Sequence, residues 1–90
     1  MSNSFKIAET VSFQKLHEKP HFNILYGKIK DYIYPQLREN PFFGPNIKKL
    51  KGDLSHYYRY RIGDYRLFYQ VDAAKGMVFV VSLSDRKAAY

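Results

Sequence analysis

The chain has no cysteine and no tryptophan, and only five glycines and four prolines among its 90 residues. Without cysteine there is no disulfide framework and no thiolate metal site. Histidine occurs three times, as His17, His21 and His56. Only His17 and His21 are close in sequence, Pro20 lies between them, and no acidic residue completes a ligand set. No metal and no cofactor is therefore expected. No run approaches the roughly 18 apolar residues of a membrane helix. The first residues lack the charged start and apolar stretch of a secretory signal. The expectation is a cytoplasmic protein with no membrane association.

Acidic residues are also scarce: eight Asp and Glu stand against fifteen Lys and Arg, a formal net charge of +7. Such an excess favours polyanion partners, or an acidic protein. The length suits a single domain spanning residues 1–90 with one modest core. A chain of this size buries only about 60 to 65 % of its unfolded surface. What the chain has in plenty is aromatic rings, nine tyrosines and seven phenylalanines. Some must fill the core, and others are free to stack on a partner.

Alternation at Phe5–Ala8 predicts a first strand. Thr10 or Ser12 is placed to cap a short helix that carries Phe13 and Leu16 on one side. Lys19-Pro20 ends it, and Pro20 suits the first turn of a second helix. Phe22, Leu25, Tyr26, Ile29, Tyr32, Ile33 and Leu37 recur there at helical spacing as one apolar stripe. Pro35 predicts a kink, with Leu37 continuing the stripe. Asn40-Pro41 and Gly44-Pro45 mark a loop, and Ile47–Leu50 is a brief turn or strand. From His56 the period becomes two. His56–Ile62 and Tyr65–Val71 read as strands joined at Gly63-Asp64, and Met77–Leu83 reads as a central strand with both faces covered. The predicted class is α+β: two N-terminal helices on one face of a small, mainly antiparallel sheet, in the order strand, helix, helix and three strands. The first strand is expected at an edge or beside the last.

One strand face collects positive charge. Tyr57, Arg59 and Arg61 alternate with Tyr58, Tyr60 and Ile62. Arg66 lies on the next strand, on the same face as Phe68 and Gln70. With helices over the Tyr58–Tyr60–Ile62 face, all three arginines project from the other, and guanidinium groups grip phosphate oxygens with paired donors. The competing reading is that exposed strands are often charged and that arginines block edge pairing. Lys48, Lys49 and Lys51 form a compact basic patch, read either as a solubilising loop or as a contact to a nucleic-acid backbone.

These features occur in a recognisable frame. Asn40-Pro-Phe-Phe-Gly-Pro-Asn-Ile-Lys-Lys-Leu-Lys-Gly52, Tyr58-Arg-Tyr-Arg-Ile-Gly-Asp-Tyr-Arg-Leu-Phe-Tyr-Gln-Val-Asp72 and the tail Ser84-Asp-Arg-Lys-Ala-Ala-Tyr90 resemble the RelE/ParE superfamily of toxins from type II toxin–antitoxin systems. Within it the chain looks like the RelE-type, ribosome-dependent mRNA endonucleases. The resemblance covers almost the whole chain. It implies a RelE-like α+β domain neutralised by a cognate antitoxin, with operator DNA bound only by the toxin–antitoxin complex. It also implies cleavage of mRNA in the ribosomal A site, by attack of a 2′-hydroxyl on the adjacent phosphate without metal. Such a step needs proton removal from the hydroxyl, cations for the developing phosphorane and help for the leaving oxygen.

Carried over residue by residue, the resemblance assigns Arg59 and Arg61 to phosphate binding and charge stabilisation. RelE-type relatives often have lysine at those places; a guanidinium stays protonated and makes a poor base. Arg66 takes the place of an arginine that contacts the scissile phosphate. Arg86 takes that of one that neutralises the transition state or assists the leaving group. Tyr90 matches a terminal tyrosine that stacks on the substrate base, and Lys48, Lys49 and Lys51 are expected on RNA backbone. Many relatives have histidine where this chain has Asp85, a weak proton acceptor beside arginines, so the general base stays unassigned. Some relatives continue into a further helix, for which this chain has no counterpart after Tyr90. The shared scaffold leaves two other readings open: a ParE-like DNA gyrase inhibitor, and a non-catalytic homologue that co-represses with its antitoxin.

Overall fold

The structure is a computed structural model and describes residues 4–18 and 22–85. Strand β1 (Lys6–Glu9) leads into a short helix α1 (Val11–Gln14), which tightens into a 3-10 turn over Lys15–Glu18. Thr10 is its cap: Thr10 Oγ1 accepts from the Phe13 N–H at 3.2 Å. A long helical rod follows as α2 (Phe22–Lys28), a π-helical segment (Ile29–Ile33) and α3 (Tyr34–Glu39). The expected place of Pro20 in the first turn lies outside the described residues.

The π segment corrects the sequence-based reading of this rod. The chain stays helical through Pro35, which occupies the first turn of α3. The Tyr34 N–H bonds back to the Ile29 carbonyl, five residues away. This widened turn directly precedes Pro35, whose ring would otherwise crowd the previous turn. It also changes the phase of the apolar stripe. Tyr32, expected in the core, rotates out to 69 % exposure, while Tyr34 rotates in and is buried.

Strands β2 (Ile47–Lys49), β3 (Tyr57–Ile62), β4 (Tyr65–Asp72) and β5 (Met77–Asp85) complete a five-stranded sheet in the order β1-β5-β4-β3-β2. β1 is both at an edge and beside the last strand, running parallel to β5; the other pairings are antiparallel. The brief Ile47–Leu50 run thus supplies an edge strand that the expected strand order did not count. Gly63, at φ 56°, allows the tight turn between Ile62 and its partner Tyr65. β5 is interior as expected, but only one of its faces is fully covered. Val78 and Val80 are buried beneath the helices, whereas Phe79 and Val81 are half-buried on the other face.

Phe13, Phe22, Ile29, Ile33 and Leu37 close the core against Tyr60, Leu67, Tyr69, Val78 and Val80. Tyrosines that enter this core keep their hydroxyls satisfied. Tyr69 donates to the Pro41 carbonyl at 2.8 Å, pinning the loop after α3, and Tyr60 donates to Gln36 Oε1 at 2.9 Å. Asn40 Oδ1 accepts from the N–H groups of Phe42 and Phe43, which turns that loop toward β2. Tyr26 and Tyr34 both donate to Glu9 Oε2, at 2.6 and 2.8 Å, tying the rod to β1.

Burial, reinforced by the Glu9 carboxylate, pushes the Tyr26 phenol up to about 12 and raises Tyr34 further. Both phenols are therefore held neutral by folding. The unfolded chain releases those protons near pH 10, so this stabilisation is complete below pH 10 and is lost as the pH rises toward 12. Urea midpoints measured from pH 8 to 12 should fall above pH 10, and Tyr26→Phe should flatten part of that fall. Tyr34→Phe removes a hydrogen bond to a charged acceptor and should cost about 1–2 kcal/mol at pH 7, read by urea denaturation.

Candidate functional site

Helices cover one face of the sheet, and strand alternation sends the arginines to the other. In β3 the covered side takes Tyr58, Tyr60 and Ile62, which belong to the core or pack on it. Tyr57, Arg59 and Arg61 point away. In β4, Leu67 and Tyr69 are buried, so Arg66, Phe68 and Gln70 join the open face. β3 lies between β4 and β2, and β4 between β5 and β3. No arginine of this face is on an edge strand, so protection of a sheet edge does not account for them. Lys48 is on the edge strand β2, where it also serves that purpose.

The register fixes which cations are neighbours. Arg61 is directly opposite Arg66, Arg59 is opposite Phe68, and Lys48 is opposite Arg59. The Arg61 N–H bonds away from β4, to the Asn46 carbonyl at 3.0 Å. Arg61 and Arg66 therefore form a narrow, non-hydrogen-bonded pair, the arrangement that brings facing side chains closest. Like charges placed this way are destabilising unless an anion lies between them. Arg59 is half-buried, and its Nε is buried with no hydrogen-bond partner among the described residues. A buried guanidinium N–H without an acceptor is costly.

Two serines on this face were not foreseen. Val80 faces the core opposite Tyr69, and strict alternation would send Ser82 and Ser84 the same way. A register shift between Phe68 and Tyr69 leaves Val81 as an extra residue in β5. Beyond it the phase reverses, so Leu83 meets Leu67 on the covered side while Ser82 meets Phe68 and Ser84 meets Arg66 on the open side. Ser84 Oγ is also buried and has no partner among the described residues. The change from apolar residues to alternating serines at Val81-Ser82-Leu83-Ser84 is the only trace of this bulge in the sequence.

The lysine patch is divided. Lys48 shares the arginine face, whereas Lys49 pairs with Tyr58 and points the other way. Lys49 helps line a separate cleft with Ser55, His56, Tyr58 and Asp72. Lys51 is exposed at the head of a 3-10 turn over Gly52–Leu54. Asp85 ends β5 opposite Tyr65; Arg86 and Tyr90 lie outside the described residues. Among the described residues no group of His, Asp and Glu is arranged to hold a metal ion, and no helix is long and apolar enough to cross a membrane.

Comparison with known proteins supplies the family. Residues 13–90 match the ParE toxins of type II toxin–antitoxin systems, parDE. The chain belongs to this toxin family, within the RelE/ParE superfamily. Its fold is similar to that of the RelBE2 toxin–antitoxin complex from Mycobacterium tuberculosis, with a TM-score of 0.77, 21 % identity, and coverage of 92 % of this chain and 99 % of that one. The isolated Escherichia coli RelE toxin is similar with a TM-score of 0.71 and 24 % identity, over 96 % of this chain and 88 % of that one. The archaeal RelE–RelB complex from Pyrococcus horikoshii gives a TM-score of 0.69 and 24 % identity, over 96 % and 99 % of the two chains. A comparison with curated protein sequences finds no match.

If the arginine pair exists for an anion, removing one member should relieve the free protein. Arg61→Thr should leave urea stability unchanged or raise it by up to about 1 kcal/mol. The same substitution should weaken binding to single-stranded RNA and make its salt dependence shallower by about 0.7 in log–log slope. A clear loss of stability would return Arg61 to a structural role.

Proposed function

We propose that this toxin cleaves mRNA in the ribosomal A site by metal-independent transesterification. The observation that carries the proposal is the narrow Arg61–Arg66 pair on interior strands, with Arg59 beside it. These side chains share one face of interior strands in adjacent rows, so protection of a sheet edge does not account for their charge.

In the proposed reaction the 2′-hydroxyl of one nucleotide gives up its proton to water and bonds to the adjacent phosphorus as the P–O5′ bond breaks, and the leaving 5′-oxygen takes a proton from water. The products are a 2′,3′-cyclic phosphate and a 5′-hydroxyl. Arg61 and Arg66 hold the non-bridging oxygens, whose negative charge grows in the transition state, and Arg59, half-buried on the same open face, adds positive charge beside them. Arg86 protects the leaving oxygen's charge, and Tyr90 stacks on a base. Lys48 and Lys51 meet RNA backbone, and Lys49 does so only outside the arginine face. The ribosome supplies the reactive pose of the messenger, and positioning of this kind lowers a barrier by several kcal/mol. With no histidine on this face among the described residues, the protein can then act chiefly as a preorganised cationic surface. The similar RelE–RelB complexes support a cognate antitoxin as the protein partner, with operator DNA bound by the pair.

The match to ParE toxins favours a second reading, inhibition of DNA gyrase through the same scaffold. Primer extension on messenger RNA in a purified translating system separates the two. Under the leading proposal, cuts appear within A-site codons and not in free RNA, and Arg66→Ala lowers the cleavage rate by about 10²–10³-fold. Intact messenger, with gyrase-dependent DNA breaks on expression, would select the second reading. Undiminished cleavage by both Arg66→Ala and Arg86→Ala would overturn the site assignment.

A further inference from the structure

Beside the arginines the open face has a groove of about 240 Å³ lined by Leu50, Leu54, Tyr57, Phe68, Val81 and Ser82. Tyr57, Phe68 and Ser82 are on the arginine side of the sheet by register. Leu50 and Leu54 come from the connection between β2 and β3, whose 3-10 turn bends back over that face. Leu54 is 52 % exposed. The walls thus offer two aromatic rings and three aliphatic side chains, with the Tyr57 and Ser82 hydroxyls as their polar groups.

The position of the groove limits what fits it. Its floor residue Phe68 is directly opposite Arg59, and the Arg61–Arg66 pair is the next row along the strands. Same-face rows are spaced about 7 Å apart, comparable to the reach from a phosphate to the base of one nucleotide. Arg59 is half-buried in the row it shares with Phe68, and Arg61 stands exposed in the next row. An acyl chain or an apolar peptide side chain suits the walls but gives the neighbouring guanidiniums no role. A nucleotide uses both: its phosphate meets the arginines, and its base lies against Phe68 and Tyr57.

We infer that this groove is a nucleobase cradle, holding the base of the nucleotide whose phosphate the arginines grip. The inference rests on the phosphate-binding reading of the same face, though not on cleavage. With two hydroxyls, on Tyr57 and Ser82, against five apolar or aromatic surfaces, the cradle reads stacking area more than hydrogen-bonding edges, so it favours purines. It thereby biases which nucleotide flanks the gripped phosphate. It is distinct from the stacking assigned to Tyr90 because it is built from the β2–β3 connection and the sheet.

NMR titration of the full chain with AMP, UMP and ribose 5-phosphate tests this. AMP should shift the Leu50 and Leu54 methyls and the Phe68 ring together with the arginine guanidinium signals. Ribose 5-phosphate should move the guanidinium signals alone, and UMP should bind more weakly than AMP. Leu54→Ser, at a half-exposed site, should weaken AMP about tenfold and leave ribose 5-phosphate unchanged. Identical patterns for AMP and ribose 5-phosphate, or groove signals that stay still with AMP while a cognate antitoxin peptide moves them, would overturn the cradle. Cleavage in the translating system without AMP in the groove would sink the cradle alone. AMP in the groove without cleavage would sink the cleavage proposal alone.

Discussion

Two guanidinium groups held face to face on adjacent strands repel each other, and the hairpin that holds them must outweigh that repulsion. In this protein it does so from the opposite side of the sheet. Arg61 and Arg66 are adjacent because Tyr60 pairs with Leu67 and Tyr58 with Tyr69, all anchored in or against the core. The Tyr58 and Tyr69 rings stack at 5.6 Å between centroids, and the Tyr69 hydroxyl is fixed on the Pro41 carbonyl. A one-residue slip would carry this aromatic set out of the core. The burial that stabilises the covered face therefore sets the charge geometry of the open one.

The same economy explains the tyrosines. Those on the covered side combine a large apolar ring with a hydroxyl that reaches a specific acceptor: Glu9, Gln36 or the Pro41 carbonyl. Each hydroxyl links the core to a segment that a purely aliphatic core would hold less specifically. The π-helical turn belongs to this arrangement. It lets the rod continue past Pro35 and brings Tyr34 round to the carboxylate that Tyr26 already meets. On the open face, Tyr57 and Phe68 have no such anchoring task and line a groove instead.

The sheet's open face can change without disturbing its covered one, because the core packs on one side only. In this chain the open face carries arginine on β3 and β4, and serine where β5 bulges. Such a surface is suited to binding and stabilising phosphate more than to moving protons.

Much of this was legible from residue order. Period-two alternation in His56–Ile62 already placed Arg59 and Arg61 on one face, since side chains two apart share it, and Arg66 joined them on the condition that the helices cover the Tyr58–Tyr60–Ile62 side. The turn at Gly63-Asp64, the interior place of Met77–Leu83 and the α+β class followed equally from local chemistry, which also narrowed the helix cap to Thr10 or Ser12. Tertiary structure decided what depends on phase and partners. The π turn removed Tyr32 from the core and inserted Tyr34, because an added residue per turn rotates everything beyond it. The bulge at Val81 reversed β5 and brought Ser82 and Ser84 to the arginines, an outcome set by pairing with β4. The division of Lys48 from Lys49, and the bending of Leu50 and Leu54 over Phe68, likewise arose from strand register and chain reversal, which local sequence does not encode.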